Sequence, residues 1–467
     1  MGLRCRKSEG FRSFPTWMKR LLFAFALLIA GLGRARGQTL TTLYKFSGSD
    51  GANPYAGLVQ SSDGFFYGTT AYGGATGSGA VFRVSPSGNL TNLYSFSGGG
   101  DGSYPLAALV QGSDGNFYST TFGGGASGTG TVFRISPSGS LTTLHSFSGP
   151  DGDNPQSGLV QGTDGNFYGA TFSGGTASNF GTVFRISSNG DFTNLHLFGG
   201  SDGSEPSAAL VQASDHNFYG TTVMGGVSNA GTVFRITPAG SLTTLYSFGG
   251  SNGVGPLAGL VQGGDGNFYG TTLAGTHSDG KVFRVTPNGS HTNLHSFSGL
   301  DGASANGLVL GSDGNLYGTT FAGGTGFSGT IFRISLGGIF TNLHSFSGGD
   351  GGLPFAVLVQ GSDGSFYGTT ERGGMNNSGT VFKISVPLNP PANQISSVQA
   401  SGNDLYFSIP SVAGETYQLQ FSHLMNPTNW SNISGAFVSN SIGAMLTLTN
   451  FGGATGPQGF YRFDITP

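Results

Sequence analysis

The sequence predicts an all-β protein: a seven-bladed β-propeller closed by its N-terminal strand, followed by a small Ig/fibronectin-like β-sandwich. Three observations carry that expectation. First, a turn aspartate, followed by Gly in every copy but the fourth and then by an aromatic strand, recurs at Asp63, Asp114, Asp164, Asp215, Asp265, Asp313 and Asp363, at spacings of 51, 50, 51, 50, 48 and 50 residues. Second, 87 of 467 residues are glycine, where ordinary usage is ~7%. Each interior glycine costs a helix about 1 kcal/mol, which argues against a helical bundle. Collagen needs abundant proline, and only 19 residues are proline. Third, charged residues make up 9% and aromatics 12%, a balance opposite to that of disordered chains.

Residues 1–37 read as a signal peptide. Six basic residues between Arg4 and Arg20 precede an apolar run, Leu21 to Leu32. That run is shorter than the ~20 residues that cross a bilayer. Ala35-Arg36-Gly37 offers small residues where a signal peptidase reads, so cleavage is expected before Gln38. Met18-Lys19-Arg20 would also begin a compact segment of this kind, and an uncleaved anchor is the alternative. Eight of the 19 Lys and Arg but one of the 22 acids lie in this segment. The processed chain therefore carries 11 basic and 21 acidic residues, a net charge of −10 rather than the −3 of the full sequence. The expectation is a secreted or cell-surface protein with no basic nucleic-acid footprint and no membrane span after cleavage. The single cysteine, Cys5, leaves with the signal, which excludes disulfides and thiol chemistry.

Residues 38–386 form the repeat region. Each copy holds four short runs rich in β-branched and aromatic residues, bounded by Gly, Pro, Asp and Ser. In the second copy these are Ala108–Gln111, Phe117–Thr121, Thr131–Ile135 and Leu141–Phe147. Four strands per unit, seven times over, is propeller arithmetic. Thr39–Phe46 is an orphan fourth strand ahead of the first copy, while the last copy ends at Ile384 without one. The N-terminal strand is expected to complete the last blade, a complementarity from which a linear solenoid would gain nothing.

The pattern Gly-Leu-Val-Gln, Asp-Gly-Asn-Phe-Tyr-Gly-Thr-Thr, Gly-Gly, Gly-Thr-Val-Phe-Arg-Ile and Leu-x-Ser-Phe, over about residues 39–386, resembles the GloVer-type tandem repeat of secreted bacterial proteins. The resemblance implies a surface protein with no assigned activity. Kelch propellers share the length and a Gly-Gly doublet, but their characteristic tryptophan is missing here.

Residues 387–391, Pro-Leu-Asn-Pro-Pro, read as a stiff linker. Residues 392–467 show alternating runs, including Asp404–Ile409, Thr416–Phe421, Ala444–Thr449 and Phe460–Ile465, which suggest the sandwich, with Trp430 in its core. The module loosely resembles C-terminal sandwich modules of secreted bacterial proteins.

With the closing strand outermost, loops alternate between two faces. The first-to-second and third-to-fourth turns share one face and are nearly invariant among the copies. The second-to-third loops and the blade-to-blade loops share the other and vary most. A ligand site is expected on that variable face, since loops on a rigid scaffold usually carry function. Its candidates are Tyr55, Tyr72, Tyr104, Phe122, Phe172, Met224, His277, Phe321, Glu371 and Arg372. Exposed aromatics beside polar groups suit flat sugar rings or an extended peptide. Each could instead pack its own loop.

Three recurring sets read as scaffold. One basic residue per blade (Arg83, Arg134, Arg185, Arg235, Arg284, Arg333 and Lys383) is expected to pair with the turn aspartates and tie strand three to a turn. A site needs one copy, whereas a scaffold needs seven, so a ring of Arg binding an anion is the lesser reading. Asp50, Asp101, Asp151, Asp202, Asp301 and Asp350, with Asn252 in the same place, precede Gly in the blade-to-blade loops. Their oxygens could hold Ca²⁺, but Asp-Gly turn chemistry accounts for them and no cofactor or metal is expected. His145, His196, His295 and His344 fall where Tyr44, Tyr94 and Tyr246 stand in sister copies, so they read as blade packing, and His216 takes the place of a turn glycine.

Catalytic motifs are uninformative. G-x-S-x-G at 199–203 and 249–253 lies in blade-to-blade loops, not at a strand-to-helix elbow. G-x-G-x-x-G at 123–128 opens no helix. The expected function is non-enzymatic binding of polysaccharide or surface protein through the variable face. The alternatives are a propeller glycan hydrolase or lyase using Glu371, Arg372, Glu205 or His277, and a passive matrix protein.

Overall fold

In a computed structural model, residues 38–386 are described apart from 176–177 and 276–278, together with seven strands between Ser397 and Thr466. The expectations for the signal segment, for His277 and for Trp430 fall on residues outside those described. Residues 38–386 form one compact unit. They build seven four-stranded antiparallel sheets, which are the blades of a propeller.

Blade 1 runs from Val59–Gln60 through Phe66–Thr70 and Ala80–Val84 to Leu90–Ser95. Blades 2 to 6 repeat that order, and blade 7 combines Val359–Gln360, Phe366–Thr370 and Thr380–Ser385 with Thr39–Lys45. Thr39 pairs with Ser385 and Lys45 with Thr380, antiparallel. The contact from blade 7 to blade 1 repeats the contact between ordinary neighbours. Tyr367 stacks on Phe66 at 4.0 Å, as Tyr118 stacks on Phe167 at 3.9 Å. The Ser362 N–H donates to Gln60 Oε1 at 2.8 Å, as the Ser113 N–H does to Gln161 at 2.9 Å.

The inner strand is shorter than expected. In six blades it is a Val-Gln dipeptide, because the residues before it turn to meet the neighbouring blade. Thr120 Oγ1 donates to the Ser157 carbonyl and Thr369 Oγ1 to that of Ala56, so the residues ahead of the dipeptide bond the preceding blade. Blade 6 is the exception, with an inner strand of eight residues, Ala303–Leu310.

Packing explains the composition. The five residues of the second strand are buried in six blades, as are the first five of its seven in blade 6, because blades press on both of its faces. Alternation therefore gives way to a continuous apolar and Thr run. Gly220 shows why glycine enters that run: a Cβ there would sit 2.6 Å from Leu210 and from Phe234. Gly102, at φ 104°, lies where a Cβ would be 2.3 Å from Thr121 Oγ1. Glycine here permits both the backbone conformation and close approach.

The C-terminal strands form two antiparallel sheets. Ser397–Ser401, Asp404–Pro410 and Met445–Asn450 make one. Thr416–Ser422 pairs with Ser431–Asn432, Phe437–Val438 and Phe460–Thr466 in the other.

Candidate functional site

The two faces of the propeller are held differently. On the uniform face, each turn aspartate accepts from the tyrosine four residues on. Tyr67, Tyr118, Tyr168, Tyr219, Tyr269, Tyr317 and Tyr367 donate to Asp63, Asp114, Asp164, Asp215, Asp265, Asp313 and Asp363 at 2.7–2.9 Å. Burial, and then the bond to the carboxylate, pushes the hydroxyls of Tyr118, Tyr168, Tyr219 and Tyr269 up to about 12. Burial alone would raise the carboxyls of Asp114, Asp164, Asp215 and Asp265, but the tyrosine, asparagine and backbone donors outweigh it and hold them below the ordinary value.

The expected pair of the strand-three base with the turn aspartate is direct in blade 7. Among the described residues, a direct ion pair with the turn aspartate is formed by Lys383, at 2.7 Å from Asp363. Arg134, Arg185, Arg235 and Arg284 bear on the tyrosine hydroxyl, and the charge of Arg235 also acts on Asp215. Arg83 also lies over the Phe65 ring, 5.0 Å from its centroid. Tyrosine reaches the turn from a buried strand without the desolvation cost of a guanidinium.

On the other face, the aspartates of the blade-to-blade loops bond the fourth strand. Tyr44 donates to Asp50 and Tyr94 to Asp101. His145, His196, His295 and His344 meet Asp151, Asp202, Asp301 and Asp350 at 2.7–2.9 Å. Where the loop has Asn252, its amide donates to the Tyr246 hydroxyl. These histidines do pack, as when His145 stacks on Phe192 at 4.0 Å, but they also tie down a loop. Seven latches account for the set of acidic residues considered for Ca²⁺. No group of three or more His, Cys, Asp or Glu placed to hold a metal occurs among the described residues.

The latches hold up the variable loops, which pair with one another. Ala52 bridges to Tyr72, Ser103 to Gly123 and Gly352 to Arg372. Two residues beyond each latch glycine, the backbone turns left-handed in six blades besides Gly255: Asn53, Tyr104, Asn154, Glu205, Ser304 and Leu353 have φ of 52–59°. Such a conformation costs a side-chain-bearing residue on the order of 1 kcal/mol. Asn53 gains in return a bond from its amide to the Glu371 carbonyl at 3.2 Å.

Six of the predicted site residues converge with Phe355 into one arc over blades 2, 1, 7 and 6. Tyr104 meets Tyr72 edge to face at 5.3 Å. Tyr55 meets Phe355 at 5.4 Å, and Phe355 meets Phe321 at 5.9 Å. Tyr55 also lies against Glu371. Burial, then the negative charge of Glu371, pushes its hydroxyl up to about 12. Arg372 Nε stands 3.6 Å from Glu371 Oε1. Tyr72 and Tyr104 are 46% and 39% exposed, whereas Glu371 is buried. Phe122 and Phe172 occupy the same level in blades 2 and 3, half-buried. Their N–H groups donate to the Tyr104 and Asn154 carbonyls. Met224 is exposed on blade 4, where Glu205 also lies. Phe355 was missed by sequence reasoning; its alignment with Tyr55, one residue after the proline in both copies, was the available signal.

The profile of the Gloeobacter/Verrucomicrobia repeat matches residues 33–161, 93–275, 137–310 and 255–394. The chain belongs to that family. Within the Gloeobacter/Verrucomicrobia repeat of this chain, the turn aspartate, the tyrosine and the basic residue are constant, and the arc falls on the positions that vary. No curated protein matches the sequence. Among solved structures, a putative gluconolactonase is similar at 12% identity and TM-score 0.41, covering 76% of this chain and 94% of that one. A protein of unknown function from Dyadobacter fermentans gives 9% and 0.44, covering 76% and 100%. A gluconolactonase from Xanthomonas campestris gives 13% and 0.40, covering 64% and 90%. Such likeness extends to the fold alone.

Proposed function

We propose that the chain is a secreted, non-enzymatic binding protein that lays an extended polysaccharide across the aromatic arc of its variable face. The observation that carries this reading is the convergence of Tyr104, Tyr72, Tyr55, Phe355 and Phe321 around Glu371 and Arg372. Aromatic rings supply large apolar area with a polar edge, which suits the C–H faces and hydroxyls of sugars. The row follows successive blades, so it suits a chain ligand better than a compact one. Secretion is supported by the basic, apolar and small-residue order of residues 1–37. Closure of the ring by Thr39–Lys45 is supported by its antiparallel register with Thr380–Ser385. A C-terminal sandwich is supported by the two antiparallel sheets and serves as an attached module.

The test is electrophoresis of the chain beginning at Gln38 through native gels containing a panel of polysaccharides. Retardation by at least one polymer, abolished by Tyr72→Ala with Tyr104→Ala, is expected. Equal mobility in every gel would overturn the reading, and turnover of a polymer abolished by Glu371→Gln would replace it with an enzyme.

A further inference from the structure

Position 371 is where one copy departs from the other six. The residue that follows the last buried threonine of the second strand is Ala71, Phe122, Phe172, Val223, Leu273 and Phe321 in blades 1 to 6, and Glu371 in blade 7. A position that is apolar in six copies thus holds a carboxylate that is 7% exposed. Burying an uncompensated carboxylate is costly, so its neighbours matter. They are the Tyr55 hydroxyl and the Arg372 guanidinium. Arg372 is itself 57% exposed. The carboxylate is therefore compensated by a cation that still faces solvent, and the pair carries no net charge. Arg372 is the one basic residue of the arc, and the processed chain around it is acidic at −10.

The geometry points to a neutral, hydroxyl-rich glycan as the ligand class of this arc, with Glu371 and Arg372 as its polar selector. This rests on the polysaccharide reading above. Glu371 accepts from one sugar hydroxyl, Arg372 donates to its neighbour, and Tyr72 and Tyr104 take the C–H face of an adjoining ring. Bonds to charged groups are stronger than neutral ones and reward a pair of hydroxyls at the right spacing. A polyuronate would fare worse. Its carboxylate would compete with Glu371 for Arg372, and drawing the guanidinium away would leave Glu371 buried and unpaired. The overall negative charge would also oppose its approach.

The experiment compares native gels containing a neutral β-glucan, a neutral galactomannan, polygalacturonate or alginate, each run at low and high salt, with Glu371→Gln, Arg372→Gln and the Tyr72→Ala/Tyr104→Ala pair. Expected is retardation by at least one neutral polymer, unchanged by salt, and none by the polyuronates. Glu371→Gln should weaken binding about tenfold, the worth of one hydrogen bond to a charged group. Arg372→Gln, at an exposed side chain, should weaken it similarly and covers the case in which the Glu371 variant folds poorly. Retardation by polyuronates that salt abolishes would overturn the selector and leave polysaccharide binding standing. Neutral-polymer binding unchanged in both variants would do the same. No retardation in any gel would remove the binding reading, and the selector with it.

Discussion

The two faces of the propeller are built from the same seven copies and put to different uses. On the uniform face every copy keeps the Asp–Tyr bond, and each tyrosine ring that makes it is buried between blades. On the variable face the seven latches recur, but the loops they hold carry Tyr, Ala, Met, Glu or Arg at equivalent places. Repetition therefore marks what the ring needs for stability. Departure from repetition marks residues that stability leaves free. Glu371, polar where six copies are apolar, is the sharpest departure, and it sits inside the aromatic arc.

Breaking the uniform face should have the largest effect. Tyr219→Ala removes a fully buried ring stacked on Phe268 at 4.0 Å. The expected loss is about 3–5 kcal/mol, the range for large aromatic truncations, read by chemical denaturation. A loss under about 1 kcal/mol would mean that the blades do not depend on this contact. Asp215→Ala keeps the ring but strips its hydroxyl of an acceptor, and should cost about 1–3 kcal/mol.

Acid and alkali probe the same face without mutation. Asp114, Asp164, Asp215 and Asp265 are held below the ordinary carboxyl value when folded, so their contribution is complete above that value. It is lost as pH falls through the folded values. Tyr118, Tyr168, Tyr219 and Tyr269 are raised from 10 to about 12, so their contribution is complete below pH 10 and lost as pH rises through 12. Melting temperatures across pH should show a broad plateau with losses at both ends. Asp215→Ala should soften both edges.

The smallest effect on stability should come from the variable face. Glu371→Leu installs the residue that blade 5 carries at the same place. Unfolding free energy should stay within about 0.5 kcal/mol of the parent or rise, while polysaccharide binding is lost. A marked loss of stability would assign Glu371 to the scaffold and weaken the contrast between the faces.

Much of the fold was legible because seven copies repeat one pattern of turns and strands. The second and third strands, such as Phe117–Thr121 and Thr131–Ile135, match their expected bounds. The inner strand did not: its expected first residues, Ala108 and Leu109, lie outside the ladder and face the neighbouring blades, which a local pattern does not show. The latches were missed although both partners had been singled out: His145 and Asp151 were sorted into separate sets, and only six residues of sequence join them. The arc was legible residue by residue but not as an arc. Tyr55 and Glu371 are more than 300 residues apart, so no local pattern joins them, yet they interact. Blade 6 departs in a further way: Leu316 and Leu310 replace the Phe and Gln that elsewhere stack on and bond the preceding blade. It also has the long inner strand.

The most direct test of the division between faces is hydrogen exchange of the chain beginning at Gln38, with and without the neutral polysaccharide that retards it most. Added protection is expected in the loops around Asn53–Tyr55, Tyr72, Tyr104 and Glu371–Arg372, and none in the aspartate turns at 61–65 or 213–217. Protection centred on those turns, or spread evenly over both faces, would contradict that division.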